Sequence, residues 1–147
     1  MSEATENMEP DPDEVARRSA EALWAGDWVG VGLGMRIIDV GPGYATLAMT
    51  VTEEMTNGLG QAHGGFIFLL ADTAFGLACN SRGDKSVAQH CQISFLRPGR
   101  LGDLLVANAH EVFQEGRSGL YDINVSVGDE TIAEFRGASR TIGGRWV

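Results

Sequence analysis

Basic charge, metal-ligating residues and long apolar runs are all scarce in this chain, and each shortage closes a class of function. Lysine and arginine total 11 against 20 acids in 147 residues, for a net charge of −9. No face can then be basic enough to follow a phosphate backbone, so no nucleic-acid partner is expected. The two cysteines, Cys79 and Cys91, lie inside apolar stretches and read as reduced, buried thiols rather than a disulfide framework. His63, His90 and His110 share no metal-ligand spacing with one another or with the cysteines, so no metal is expected, and no cofactor. No charge-free apolar run reaches the roughly 18 residues that a membrane helix needs. No basic segment leads into an apolar core at the N-terminus. The expectation is a cytoplasmic protein without a membrane partner. A Gly-x-Ser-x-Gly nucleophile elbow is also missing, which argues against a serine hydrolase.

What is present suits one globular domain. Hydrophobic residues make up 44% of the chain and charged ones 21%. The acids are unevenly placed: residues 1–14 hold six and no base, so the remainder carries only three of the nine net negative charges. Residues 1–12 are therefore expected to be an acidic, disordered tail and residues 13–147 the single domain. Asp11-Pro12-Asp13 has the capping Asp and first-turn acids of a helix start, and an amphipathic helix is expected over Glu14 to Ala25, ended by Gly26. Strands follow at Met35–Val40 and Tyr44–Val51, parted by Gly41-Pro42-Gly43. The run from Gly64 to Cys79 is apolar on every face except at Asp72 and Thr73, which predicts a buried helix. Four more strands are expected, around Val87–Phe95, Leu104–Phe113, Gly119–Val127 and Glu130–Thr141. Their short links predict an antiparallel meander. The predicted class is α+β, with a curved antiparallel sheet wrapped around a central buried helix and a short N-terminal helix added.

Asp72 is the sharpest chemical signal. Aspartate is rarely buried without a partner, yet this one sits midway along the most apolar helix. Either neighbouring groups such as Thr73 satisfy it, or it is a carboxylate in a poorly hydrated site with a raised pKa, fit to act as general base or nucleophile. His63-Gly64-Gly65 opens the same helix. The first amides of a helix lack internal partners and lie at its positive end, and glycine lets a carbonyl approach them, as an oxyanion hole requires. Gly64 and Asp72 are, however, about 12 Å apart along one helix axis, whereas a reacting carbonyl needs both within about 3 Å. A second copy running antiparallel would bring its Asp72 beside the first copy's Gly64, so a site shared across a two-fold homodimer is expected.

Several motifs carry a resemblance. The run Asn57-Gly58-Leu59-Gly60-Gln61-Ala62-His63-Gly64-Gly65, the helix segment Leu70-Ala71-Asp72-Thr73-Ala74-Phe75 and Ala78-Cys79-Asn80-Ser81-Arg82-Gly83 resemble the phenylacetic-acid-degradation (PaaI) thioesterases. So do Phe95-Leu96-Arg97-Pro98-Gly99, Gly119-Leu120-Tyr121-Asp122 and Phe135-Arg136-Gly137, in order between about residues 30 and 142. The resemblance implies a hot-dog fold, homotetramers built from dimers, and hydrolysis of aryl-acyl-CoA thioesters such as (hydroxy)phenylacetyl-CoA. By position, Asp72 looks like the catalytic carboxylate and Gly64 like the oxyanion amide donor, with His63 and Asn57 shaping the site near the thioester. Gly65, Thr73, Arg97 and Arg136 are the candidate substrate-binding residues, the arginines toward the CoA phosphates. One departure stands out: some related thioesterases hold the attacking water with a Ser or Thr where this chain has Ala88. Two other readings compete with hydrolysis. A hot-dog enoyl-CoA hydratase needs Asp-x-Asn-x-x-His, and the Asp is replaced by Gly58. A non-catalytic acyl-CoA-binding protein would have no need of Asp72.

Overall fold

Asp11 and Pro12 open the first helix as their types require. In the computed structural model, which describes residues 9–147, Asp11 caps α1 (Pro12–Ala25) through its side chain, which accepts the Asp13 amide at 3.4 Å. Residues 1–8 of the expected acidic tail lie outside the described residues. A five-residue helix that the sequence reading missed follows, α2 (Trp28–Gly32), with Asp27 as its cap accepting from the Gly30 amide at 2.9 Å. Its signal was there in Gly26-Asp27, a stop followed by a capping residue.

Strands β1 (Arg36–Gly41) and β2 (Tyr44–Thr50) form a hairpin. A single 3-10 turn at Glu53–Met55 then leads to the long helix α3 (Gly64–Cys79). Four long strands complete the chain: β3 (Asp84–Phe95), β4 (Leu104–Glu115), β5 (Ser118–Val127) and β6 (Glu130–Arg145). They join one six-stranded antiparallel sheet in the order β1-β2-β4-β5-β6-β3.

The meander expected for the last four strands holds only for β4, β5 and β6. Strand β3 crosses to the far edge and pairs with β6, Cys91 opposite Gly137. Both sides of β4 are already taken, by β2 and β5, so β3 cannot lie beside the strand that follows it and pairs with the outer edge of β6 instead. The link from β3 to β4 is fastened on its way, by the Leu96 amide on the Ile132 carbonyl and the Gly99 carbonyl under the Ala62 amide.

Alternation on the strands turns Leu47, Met49, Leu105, Ile123, Val125 and Phe135 inward, where they meet Leu70, Ala74, Phe75 and Leu77 of α3. Phe75 stacks obliquely on Tyr121 and Phe135, with ring centroids 5.6 and 5.9 Å away. That contact needs a glycine opposite: a Cβ on Gly137 would stand 2.7 Å from the Phe75 ring. The helix is not covered on all sides, contrary to its apolar sequence. Gly65 is exposed and Leu69, Asp72, Thr73 and Gly76, on the same face at helical spacing, are only half-buried.

Candidate active site

The amino end of α3 is held by backbone pairing rather than by side chains. Thr56 and Ala62 bridge across the loop, and the His63 amide donates to the Met55 carbonyl at 2.8 Å. Asn57 organises the turn between them. Its Oδ1 accepts from the Leu59 amide at 2.9 Å and the Gln61 amide at 3.3 Å, while its own amide donates to the Gln61 carbonyl. The His63 side chain is exposed and makes no capping bond. The Gly64 and Gly65 amides consequently start the helix without an acceptor among the described residues. A groove of about 500 Å³ opens there, lined by Gln61, Gly64, Ile67, Phe95, Leu96 and Arg97. Phe95 lies close enough that a Cβ on Gly64 would come within 2.8 Å of its ring. Arg97 is tethered at the rim by one bond to the Thr131 carbonyl, 2.8 Å, and its other guanidinium donors are free among the described residues.

Asp72 lies in a second groove, of about 480 Å³, whose lining includes Leu23, Val29, Asp72, Thr73, Gly76 and Ala88. Burial on an apolar helix pushes its carboxyl pKa above the ordinary aspartate value. Satisfaction by Thr73 does not occur: that hydroxyl donates to the Leu69 carbonyl of its own helix at 2.7 Å. No donor among the described residues bonds the Asp72 carboxylate. The groove's other polar side chains are occupied as well. Asn80 donates to the Gly76 and Ser86 carbonyls and accepts from the Ser86 amide and the Trp146 indole, 2.8 Å each for the last two. Ser86 pairs with Thr141 at 3.2 Å. Cys79, buried at the same end, is pushed up to about 12, first by burial and then by the Asp72 charge, so it stays a neutral thiol.

The two grooves share no residue. Within one chain, therefore, the free amides and the free carboxylate face different spaces. Arg136 stands apart from both: it forms a bidentate ion pair with Asp122, at 2.6 and 2.8 Å, which holds the Asp122 carboxyl below its usual range. Ala88 does border Asp72, so no hydroxyl stands at that place in the groove. Among the described residues no cluster of His, Cys, Asp or Glu could hold a metal ion, and no helix is long and apolar enough to cross a membrane. Three groove residues escaped sequence reading as site residues. Asn80, at the end of α3, has no local sign of its side-chain bonds. Leu23 comes from the expected surface helix and Val29 from α2, which was not expected.

Comparison with known proteins identifies the family of the chain. Residues 59–134 match the model of the thioesterase superfamily. The acyl-coenzyme A thioesterase PaaI of Escherichia coli K12 is 47% identical over 130 residues, which span 88% of this chain and 93% of that one. The solved structure of the E. coli PaaI protein from the phenylacetic acid degradation operon superposes with a TM-score of 0.90 at 44% identity, covering 92% of this chain and 99% of its own. A Streptococcus mutans UA159 protein solved bound to acetyl CoA superposes with a TM-score of 0.73 at 27% identity, covering 76% and 90%. With its helix-in-sheet architecture and these matches, the chain belongs to the thioesterase superfamily, as a hot-dog protein of the PaaI family.

Proposed function

We propose that this protein hydrolyses acyl-CoA thioesters, with aryl-acyl groups such as (hydroxy)phenylacetyl as substrates, at sites assembled from two copies of the chain. The observation that carries the reading is Asp72: an unpartnered carboxylate on the uncovered face of an otherwise apolar helix. The match to an acyl-CoA thioesterase along most of the chain supports the reaction type. In this reading the thioester carbonyl oxygen lies on the Gly64 amide, with Gly65 leaving the approach open. Asp72 of the partner subunit takes a proton from water, and the hydroxide adds to the carbonyl carbon; alternatively Asp72 itself adds. The tetrahedral oxyanion rests on the helix amide and the positive end of the helix. Collapse breaks the C–S bond, and the thiolate leaves as CoA, taking up the proton that Asp72 holds; where Asp72 itself has added, the acyl–Asp72 anhydride left behind is hydrolysed by water to the free acid, restoring the carboxylate. His63 and Asn57 shape the mouth, Asn57 by fixing the turn that presents Gly64. Arg97 is placed at the rim of the Gly64 groove to meet a CoA phosphate.

The shared site has its own support. Strand β3 is a twelve-residue edge strand, exposed along most of its length and with one side unpaired. Such an edge is a template for pairing with another chain. The open face of α3 at Leu69 and Thr73 would be covered in the same assembly. A homotetramer of such dimers, acting in the cytoplasm, and a single domain over residues 13–147 with an acidic tail complete the reading. The test is thiol release from a panel of acyl-CoA substrates by wild type and Asp72→Asn. Loss of the carboxylate should cost at least about 10²-fold in turnover. Near-normal turnover in a folded variant would remove Asp72 from the chemistry.

A further inference from the structure

The groove that holds Asp72 is closed on one side by a part of the chain outside the superfamily match of residues 59–134. Leu23 and Gly26 from the end of α1, and Asp27 and Val29 from the start of α2, face α3 across it. This corner is rigidly built. Gly30 is buried beneath the Trp24 ring, so closely that a Cβ there would lie 2.7 Å from it. Asp27 caps α2 on the Gly30 amide, its own amide donates to the Trp24 carbonyl at 3.0 Å, and the Met35 amide donates to the Gly30 carbonyl at 3.0 Å. Leu33 and Val31 amides close the short helix on Val29 and Asp27.

Val29 itself does none of this holding through its side chain. It is 55% exposed, yet it borders the groove with Asp72. A β-branched side chain on a short, well-tied helix has one strongly preferred χ1 rotamer and little freedom to move aside. Its bulk therefore fixes how much space remains beyond Asp72. Thr73, Asn80 and Ser86 in the same wall are committed to protein partners, which leaves them little capacity to hydrogen-bond an acyl group.

We infer that Val29 is the specificity-determining residue of this thioesterase: it sets the upper size of the acyl group, with Leu23 beside it forming the apolar wall against which an aryl ring lies. The inference rests on the proposed acyl-CoA reaction and assigns the acyl end of that same site. It places selectivity for the acyl group in the α1–α2 corner, apart from the residues that carry out hydrolysis.

Two substrates and two variants test it. Measure kcat/KM for phenylacetyl-CoA and for acetyl-CoA with wild type, Val29→Phe and Val29→Ala. The added ring should lower kcat/KM for phenylacetyl-CoA by at least about tenfold, the scale of a methylene-sized misfit in an apolar pocket, while acetyl-CoA, too short to reach the corner, changes less than about twofold. Val29→Ala should shift preference the other way, toward acyl groups longer than phenylacetyl. Equal losses on both substrates, or no change in their ratio for either variant, would overturn the inference and leave the reaction standing. Wild type inert on every thioester would instead overturn the proposed function.

Discussion

If Gly64 of one chain works with Asp72 of another, two inactive variants should restore each other. The eight residues between them span about 12 Å of helix, and the grooves they line have no residue in common. Asp72→Ala removes the carboxylate and leaves the helix amides untouched. Gly64→Val does the reverse. A Cβ there would lie 2.8 Å from the Phe95 ring, but Phe95 is 52% exposed and its ring can swing outward, so the variant folds while its oxyanion pocket is obstructed. Mixing equal amounts and allowing subunits to exchange gives half mixed dimers. In each, one site collects both lesions and the other has a sound Gly64 facing a sound Asp72. Thiol release should recover to about a quarter of wild type when exchange is complete and sites act independently. Native mass spectrometry verifies the mixing. Mixed dimers that stay inactive would refute the shared site.

The remaining expectations concern Asp72, Asn80 and the arginines. Burial raises the Asp72 pKa above 3.8, its ordinary value, so the folded state favours the protonated form. Catalysis needs the ionised form, so kcat/KM should fall with decreasing pH through an apparent pKa higher than that of an ordinary aspartate. Stability has the opposite sign: protonated Asp72 is favourable below its unfolded value, and that gain is lost as pH rises through the folded value. Asp72→Asn should therefore raise Tm at neutral pH, by a margin that shrinks on acidification; a variant melting below wild type at neutral pH would contradict this. Asn80→Ala leaves the Ser86 amide and the Trp146 indole without their acceptor. A loss of about 2–3 kcal/mol in denaturant unfolding is expected. Arg97→Ala should raise KM for acyl-CoA, whereas Arg136→Gln, which breaks only an exposed pair with Asp122, should leave KM alone and cost about 1 kcal/mol or less.

Local chemistry made most elements readable. Helix α3 was legible to the residue because glycines bound an unbroken apolar run, and the strands were marked by alternation and by turn glycines. Strand order was not legible, because it depends on which sheet edge remains free once β2 and β5 flank β4. Nor was α2, five residues whose apolar side chains point mostly to solvent. The burial of α3 was overestimated for a related reason. An apolar face looks the same in sequence whether its cover is the chain's own sheet or another copy. Resemblance implied that Asn57 shapes the site; the structure shows its Oδ1 accepting from the Leu59 and Gln61 amides, which closes the turn before Gly64.

One helix thus carries two incompatible requirements. Its first turn must expose unpaired amides, which only a loop tied down by the Met55 carbonyl and Asn57 permits without collapse. Its middle must keep a carboxylate dry enough for a raised pKa, which needs apolar neighbours on every side but the substrate's. In one chain these zones stay apart, about 12 Å along one helix and in grooves with no residue in common. The proposed two-fold dimer would resolve the conflict, laying each amide end beside the other copy's carboxylate and pairing the exposed β3 edges. In that proposal the chemistry stays with α3 between copies, and the α1–α2 corner sets the size of what is hydrolysed.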